Sequence, residues 1–148
     1  MHQKIIVLLD LNYTLAKKCG LNVGNWTYDV TKDEYSQELV DILSDKNKYE
    51  VHLITARPER YQKATLAKLK LDTGFVPEVL AFKPNTKKFM KVHDYKAEYL
   101  EYLLSREIDP IALDNIISIE SNAKTRKRYK DVGLVEQYTR DTFLKKYG

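Results

Sequence analysis

Apolar positions along the chain fall into short unbroken runs separated by longer stretches with helical spacing. Ile5-Ile6-Val7-Leu8-Leu9 is the first run, of strand length and rich in β-branched residues. Such a run suits a strand buried on both faces, as in a parallel sheet. Val51-His52-Leu53-Ile54, Glu78 to Phe82, Ile111-Ala112-Leu113 and Leu134 to Tyr138 read as four further strands. Between them Tyr35, Leu39, Val40, Ile42 and Leu43 form a helical stripe that ends near Asp45 and is opened by Thr31 or Asp33 as cap. Helices are also predicted from about Pro58 to Lys70 or Leu71, from Asp94 through Leu104, from Ser118 or Ser121 through Lys130, and from Asp141 to Tyr147. Gly74 with Pro77, and Asp109-Pro110, break the chain between elements.

Strands and helices alternate throughout, which predicts one α/β domain over residues 1–148 with a parallel five-stranded sheet covered on both sides. Residues 16–31 interrupt this rhythm. Gly20, Asn22, Gly24 and Asn25 are turn formers among strand formers, so a β-hairpin or flap is expected over the end of the first strand. Trp26 either covers the site or anchors this flap to the body.

Composition narrows the class. The chain is 43% hydrophobic, and no apolar run approaches the roughly 20 residues of a membrane span. Met1-His2-Gln3-Lys4 leads into an apolar run of only five residues, unlike a secretory leader. The single cysteine, Cys19, excludes an internal disulfide and fits a reducing, cytoplasmic setting. A formal charge of +4 permits a phosphate-bearing substrate without requiring nucleic acid. Basic clusters at 83–91 and 124–130 either track a nucleic-acid backbone or are solvated helix faces and loops.

The candidate chemistry lies where the strands end. The first run closes on Asp10, the second on Thr55 and the expected fourth on Asp114. In a parallel sheet such ends converge on one edge, where open α/β sheets place their ligands. A carboxylate held there can act as a nucleophile or hold a hard cation. A strand-end hydroxyl, and a lysine such as Lys96 at the start of the preceding helix, can stabilise phosphoryl charge. Arg57 is either a bidentate phosphate contact or a surface residue. His52 and His93 are alternative acid–base candidates; in mid-strand His52 reads as structural, and His93, beside Asp94, either approaches the site or is a surface residue.

Asp10-Leu11-Asn12-Tyr13-Thr14 resembles the first motif of the haloacid dehalogenase (HAD) superfamily, Asp-x-Asp-x-Thr. Thr55, Lys96 and Leu113-Asp114-Asn115 follow in the order of that family's remaining motifs, with Lys91 and Lys88 as alternatives to Lys96. The resemblance implies a Rossmann-like, HAD-like three-layer sandwich with strand order 5-4-1-2-3 and, from the short intervals, no large cap. It implies a magnesium-dependent phosphohydrolase in which Asp10 is the nucleophile and Thr55 and Lys96 stabilise charge. Thr14, Arg57 and Asn115 would then touch substrate. Mg2+ would be held by Asp10, the main-chain carbonyl of Asn12, and Asp114. Glu120 is either an outer-shell carboxylate or a first-turn helix residue.

Asn12 departs from the motif. The family's second Asp protonates the leaving oxygen and later activates water, and a neutral amide can do neither. General acid–base assistance is worth about 10²–10⁴-fold. Asn12 therefore predicts slow turnover, a need for a good leaving group, a different chemistry such as dehalogenation, or a binding protein without catalysis, whether the residue is natural or introduced. Thr55-Ala56-Arg57-Pro58 and the capless plan are similar to the 3′-phosphatase domain of polynucleotide kinases and to small nucleotide phosphatases. A phosphorylated small molecule or a nucleic-acid 3′ end is the partner this implies.

Overall fold

A computed structural model describes residues 3–148; Met1 and His2, which entered the leader argument, lie outside the described residues. Its centre is a five-stranded parallel sheet. In chain order the strands are β1 (Ile5–Asp10), β6 (Tyr49–Pro58), β7 (Val79–Lys83), β8 (Ile116–Ile119) and β9 (Gln137–Tyr138). Their spatial order is β7-β6-β1-β8-β9, so the first apolar run is the central strand. Parallel pairing of β1 with both β6 and β8 leaves it no free edge, and its alternating side chains pack into a core cluster on each face of the sheet.

Alternation along β1 divides the core in two. Val7 and Leu9 face a cluster with Leu39, Leu43, Leu69 and Phe143, which come from α1 (Gln37–Leu43), α2 (Gln62–Thr73) and α5 (Arg140–Tyr147). Ile6 and Leu8 face the other way, onto Leu100, Leu103 and Tyr129 of α3 (Val92–Ser105) and α4 (Ala123–Val132). The result is a Rossmann-like three-layer α/β/α fold with no large cap. No helix of the described residues is long and apolar enough to cross a membrane.

Between β1 and α1 lies a small flap. β3 (Leu21–Asn22) and β4 (Thr27–Tyr28) pair antiparallel as a hairpin, and β2 (Ala16–Lys18) pairs with β5 (Glu34–Tyr35) at its base. The expected flap is present, but α1 starts later than the sequence pattern predicts. Ser36 caps it, accepting from Leu39 N, because Glu34 and Tyr35 are held extended against β2. Gly20 is fixed by crowding at the flap's neck: a Cβ there would overlap the main-chain carbonyl of Asp29.

The largest correction concerns the fourth strand. Ile111-Ala112-Leu113 is not in the sheet; Leu113–Asn115 forms a 3-10 turn that leads into β8. The four residues of β8 are all buried, whereas Ile111 and Leu113 are only partly so and Ala112 is exposed. The second strand also runs further than its apolar core, through Pro58, and a 3-10 turn at Glu59–Tyr61 precedes α2. Gly74 ends α2 in the left-handed conformation at φ 76°, as its position after the helical stripe predicts.

Candidate active site

The carboxyl edge of the sheet gathers three charged side chains with almost no solvent contact. β1 delivers Asp10, and its register places Ile54 of β6 opposite Asp10, with Thr55 one residue beyond. On the other side Leu9 pairs with Ile119, so Glu120 and Ser121 emerge beside Asp10. Lys96 reaches in from the first turns of α3. Its Nζ donates to Asp10 Oδ1 at 2.7 Å and to Glu120 Oε1 at 2.6 Å. Asp10 is 6% exposed and Lys96 and Glu120 are each 2% exposed. At that depth the pairs are weakly screened by water, so the local charge balance governs their ionisation.

Two carboxylates share one ammonium here. Burial opposes the ionised form of Asp10, but Lys96 and hydrogen bonds, including that from Ser121, outweigh it and hold the carboxyl below its usual range. Glu120 takes the opposite course. Burial and the neighbouring Asp10 charge push it up to about 7, against the pull of Lys96. Burial would lower Lys96, yet its two acidic partners win and raise it above the ordinary lysine value. The preferred state is therefore an ionised Asp10, an ammonium on Lys96 and a Glu120 that titrates near neutrality.

The second oxygen of Asp10 is held by hydroxyls. Thr14 Oγ1 and Ser121 Oγ each donate to Oδ2 at 2.8 Å. Ser121 Oγ also lies 3.4 Å from the main-chain oxygen of Asn12. Thr55 Oγ1 accepts from Arg57 N at 3.0 Å, which leaves its own hydrogen for a ligand oxygen.

Asn12 is fixed from both ends. Arg57 Nη2 donates to Oδ1 at 3.0 Å, and Nδ2 donates to Tyr28 Oη of the flap at 2.8 Å. Arg57 is fully buried and forms a bidentate pair with Asp33 at 2.7 and 3.1 Å, while Tyr28 stacks 4.5 Å from its guanidinium carbon. Of the two sequence readings of Arg57, neither a surface position nor an open phosphate contact describes it: its fork is spent on Asp33 and Asn12.

Asp10, Asn12, Thr14, Thr55 and Lys96 are thus brought together. Lys88 and Lys91 lie away from the Asp10 carboxylate: Lys88 is on the wall of a neighbouring groove and Lys91 is the N-cap of α3. Asp114 and Asn115 are not in the site. They precede β8, on the opposite edge of the sheet from Asp10. The strand between carries them about 13 Å or more away, at about 3.3 Å per residue. Asp114 cannot share a cation with Asp10. Glu120 instead sits at the fourth strand's end, bound to Lys96, and Ser121 lies next to Asp10 Oδ2. His52 is buried and bonded to Tyr99 and Glu50, as a structural residue.

Asp33, Tyr28 and Ser121 are site residues that the sequence reading did not assign. The signal for Ser121 was present: Ile116-Ile117-Ser118-Ile119 is a denser β-branched run than Ile111-Ala112-Leu113. The Asp33–Arg57 pair joins residues 24 apart with no local signature.

Among the described residues no group of three or more His, Cys, Asp or Glu side chains could hold a metal. The oxygens that do converge are Asp10 Oδ2, the Asn12 carbonyl and Ser121 Oγ. Magnesium commonly keeps several waters and takes one or two carboxylates plus substrate phosphates. This donor set fits an ion that arrives with a phosphate better than a resident one.

No family model matches the chain, and no curated protein does. Among solved structures, a chain of the Pnkp1/Rnl/Hen1 RNA repair complex superposes with a TM-score of 0.66 at 14% identity. The match covers 92% of this chain but only 42% of that one. At this identity the likeness establishes the shared fold.

Proposed function

We propose that the protein acts on phosphate monoesters through Asp10, as a slow phosphohydrolase of the HAD type. The observation that carries this reading is the Asp10–Lys96–Glu120 cluster at the end of the central strand, beside a free strand-end hydroxyl on Thr55. A buried lysine lowers Asp10 into its nucleophilic, ionised form. In the proposed reaction an Asp10 oxygen bonds to phosphorus as the ester oxygen leaves with the bonding pair. Lys96 and the Thr55 hydroxyl oppose the charge on the equatorial oxygens. Water then attacks the acyl phosphate, returning the carboxylate and releasing inorganic phosphate. Mg2+ held at Asp10 Oδ2, the Asn12 carbonyl and Ser121 Oγ would neutralise phosphate charge when bound.

Asn12 makes both steps slow. It cannot protonate an alkoxide leaving group, nor take a proton from the attacking water. Esters of acidic alcohols need no such proton, so with them the covalent phosphoryl group should form and then persist. A nucleotide or a polynucleotide 3′-phosphate is the ester class favoured by the structural neighbour and the basic surface.

A second reading has its own observation. Arg57 and Tyr28 lock the Asn12 amide, and Ser121 puts a neutral hydroxyl where a second metal carboxylate would serve. These features suit a phosphate-binding protein that does not turn over. Wild type and Asn12→Asp assayed together on aryl phosphates and 3′-phosphorylated oligonucleotides separate the two. Slow activity that is lost in Asp10→Ala supports the enzyme, whereas ligand binding with both proteins inert supports the binding module.

A further inference from the structure

Beside the Asp10 cluster, on the β6–β7 side, lies a groove of about 1040 Å³. Its walls are the flap hairpin, the end of β6, the start of α2 and the segment after β7. It begins one residue from Thr55, since Ala56 lines it, and it shares Tyr28 with the Asn12 contact. It therefore adjoins the phosphate site through Ala56 and Tyr28.

Three properties define what fits. The first is size: small-molecule pockets run from about 300 to 1,000 Å³, so this groove has room beyond a single nucleotide. The second is charge. Exposed Arg60, Lys63 and Lys88 line it against one acid, Glu59. The third is exposed aromatic surface. Trp26 at the hairpin tip is 65% exposed and on the groove wall, although the sequence offered anchoring as one role for it. That role falls to Tyr28, bonded to Asn12 and stacked on Arg57. Trp26 is held at φ 55°, in the left-handed region that non-glycine residues seldom adopt. Flat aromatic faces beside a row of cations form the pattern that grips stacked bases and a phosphate backbone without reading sequence.

We propose that this groove seats a single-stranded nucleic-acid segment whose terminal phosphate enters the Asp10 site. The seating of the terminal phosphate rests on the reading of Asp10 above; the groove's affinity for the strand does not. Bases stack on Trp26 while Lys63 and Lys88 pair with backbone phosphates.

The test is fluorescence anisotropy with a short 5′-labelled oligouridylate carrying either a 3′-phosphate or a 3′-hydroxyl, with uridine 3′-monophosphate and polyglutamate as competitors. Both oligonucleotides should bind, and both should bind more tightly than the mononucleotide. Trp26→Ala should weaken both about tenfold, with Trp26→Phe close to wild type. Lys63→Gln/Lys88→Gln should lower the log–log salt slope by about 1.4, at about 0.7 per single-strand contact. Binding no tighter than the mononucleotide, equal displacement by polyglutamate, or indifference to both groove variants overturns the proposal. A 3′-phosphate preference that survives with those variants silent would remove the groove and leave the Asp10 site standing. Loss of affinity in Trp26→Ala without any 3′-phosphate preference would support the groove and remove the phosphate reading.

Discussion

Arg57 Nη2 donates to Asn12 Oδ1 at 3.0 Å, joining the first strand's turn to the end of the second across 45 residues. The same amide donates to Tyr28. A carboxylate at position 12 would therefore meet a buried guanidinium and a phenol in place. Asn12→Asp is expected to fold and to raise the rate of alkyl phosphate hydrolysis by about 10²–10⁴-fold. Aryl phosphates, which need less protonation, should gain less in the first step. Steady-state kinetics on both ester types check this; equal, unchanged rates would remove Asn12 as the limiting feature.

Arg57 and Asp33 are both buried and pair bidentately. Removing one partner strands the other charge, at a cost of about 3–5 kcal/mol. Asp33→Ala should lose about that much in urea unfolding and loosen the flap, because Asp33 also accepts from Gly20 N and Tyr35 Oη. Replacing both residues by apolar ones of similar volume should recover much of the loss. A single variant with wild-type stability would contradict the assignment of Arg57 to a structural pair.

Glu120 gives a pH signature. Its folded value of about 7 lies above the ordinary 4.5, so the folded protein binds this proton more tightly than the unfolded chain. Its stabilisation is complete below about 4.5 and is lost as pH rises through about 7. The difference is on the order of 3 kcal/mol. Asp10, held low, contributes above its usual range and loses that contribution only in stronger acid; Lys96, held high, keeps its contribution until well above neutrality. Across about pH 5 to 8 the stability of wild type relative to Glu120→Gln should therefore fall. A flat or rising difference in paired urea titrations would contradict the shared-ammonium arrangement.

Asp114 lies on the far edge of the sheet, whereas Ser121 touches Asp10. Asp114→Ala and Asn115→Ala should leave Mn2+ affinity, read by electron paramagnetic resonance with inorganic phosphate present, unchanged. Ser121→Asp should tighten Mn2+ binding by adding a carboxylate beside Asp10 Oδ2 and the Asn12 carbonyl. Loss of Mn2+ binding in Asp114→Ala would refute the placement.

Much of this was legible in the residues. Ile5–Leu9 announces a buried central strand, so Asp10 at its end was readable, and Val51–Ile54 placed Thr55 in the same way. The register of Lys96 before the fourth strand singles it out, and it reaches Asp10. The fourth strand is the misleading element, because Asp109-Pro110 looks like a break directly before an apolar triplet and Leu113-Asp114-Asn115 imitates an expected motif. Burial separates the two runs: Ile116 to Ile119 are covered on both faces, and only then does the chain reach Glu120 and Ser121. Asp33 could pass for a helix cap because its real partner, Arg57, is brought to it by tertiary folding. Tyr28 looked like one of eleven tyrosines until the flap set it on Asn12.

The most direct measurement is the location of a trapped phosphoryl group. Wild type and Asp10→Asn are incubated with magnesium and an aryl phosphate, quenched in acid, and mapped by peptide mass spectrometry. The proposed chemistry requires one added phosphoryl group on the peptide containing Asp10, accumulating in wild type because Asn12 cannot speed its hydrolysis, and absent from Asp10→Asn. A phosphoryl group on another residue, or an equal amount in both proteins, would contradict it.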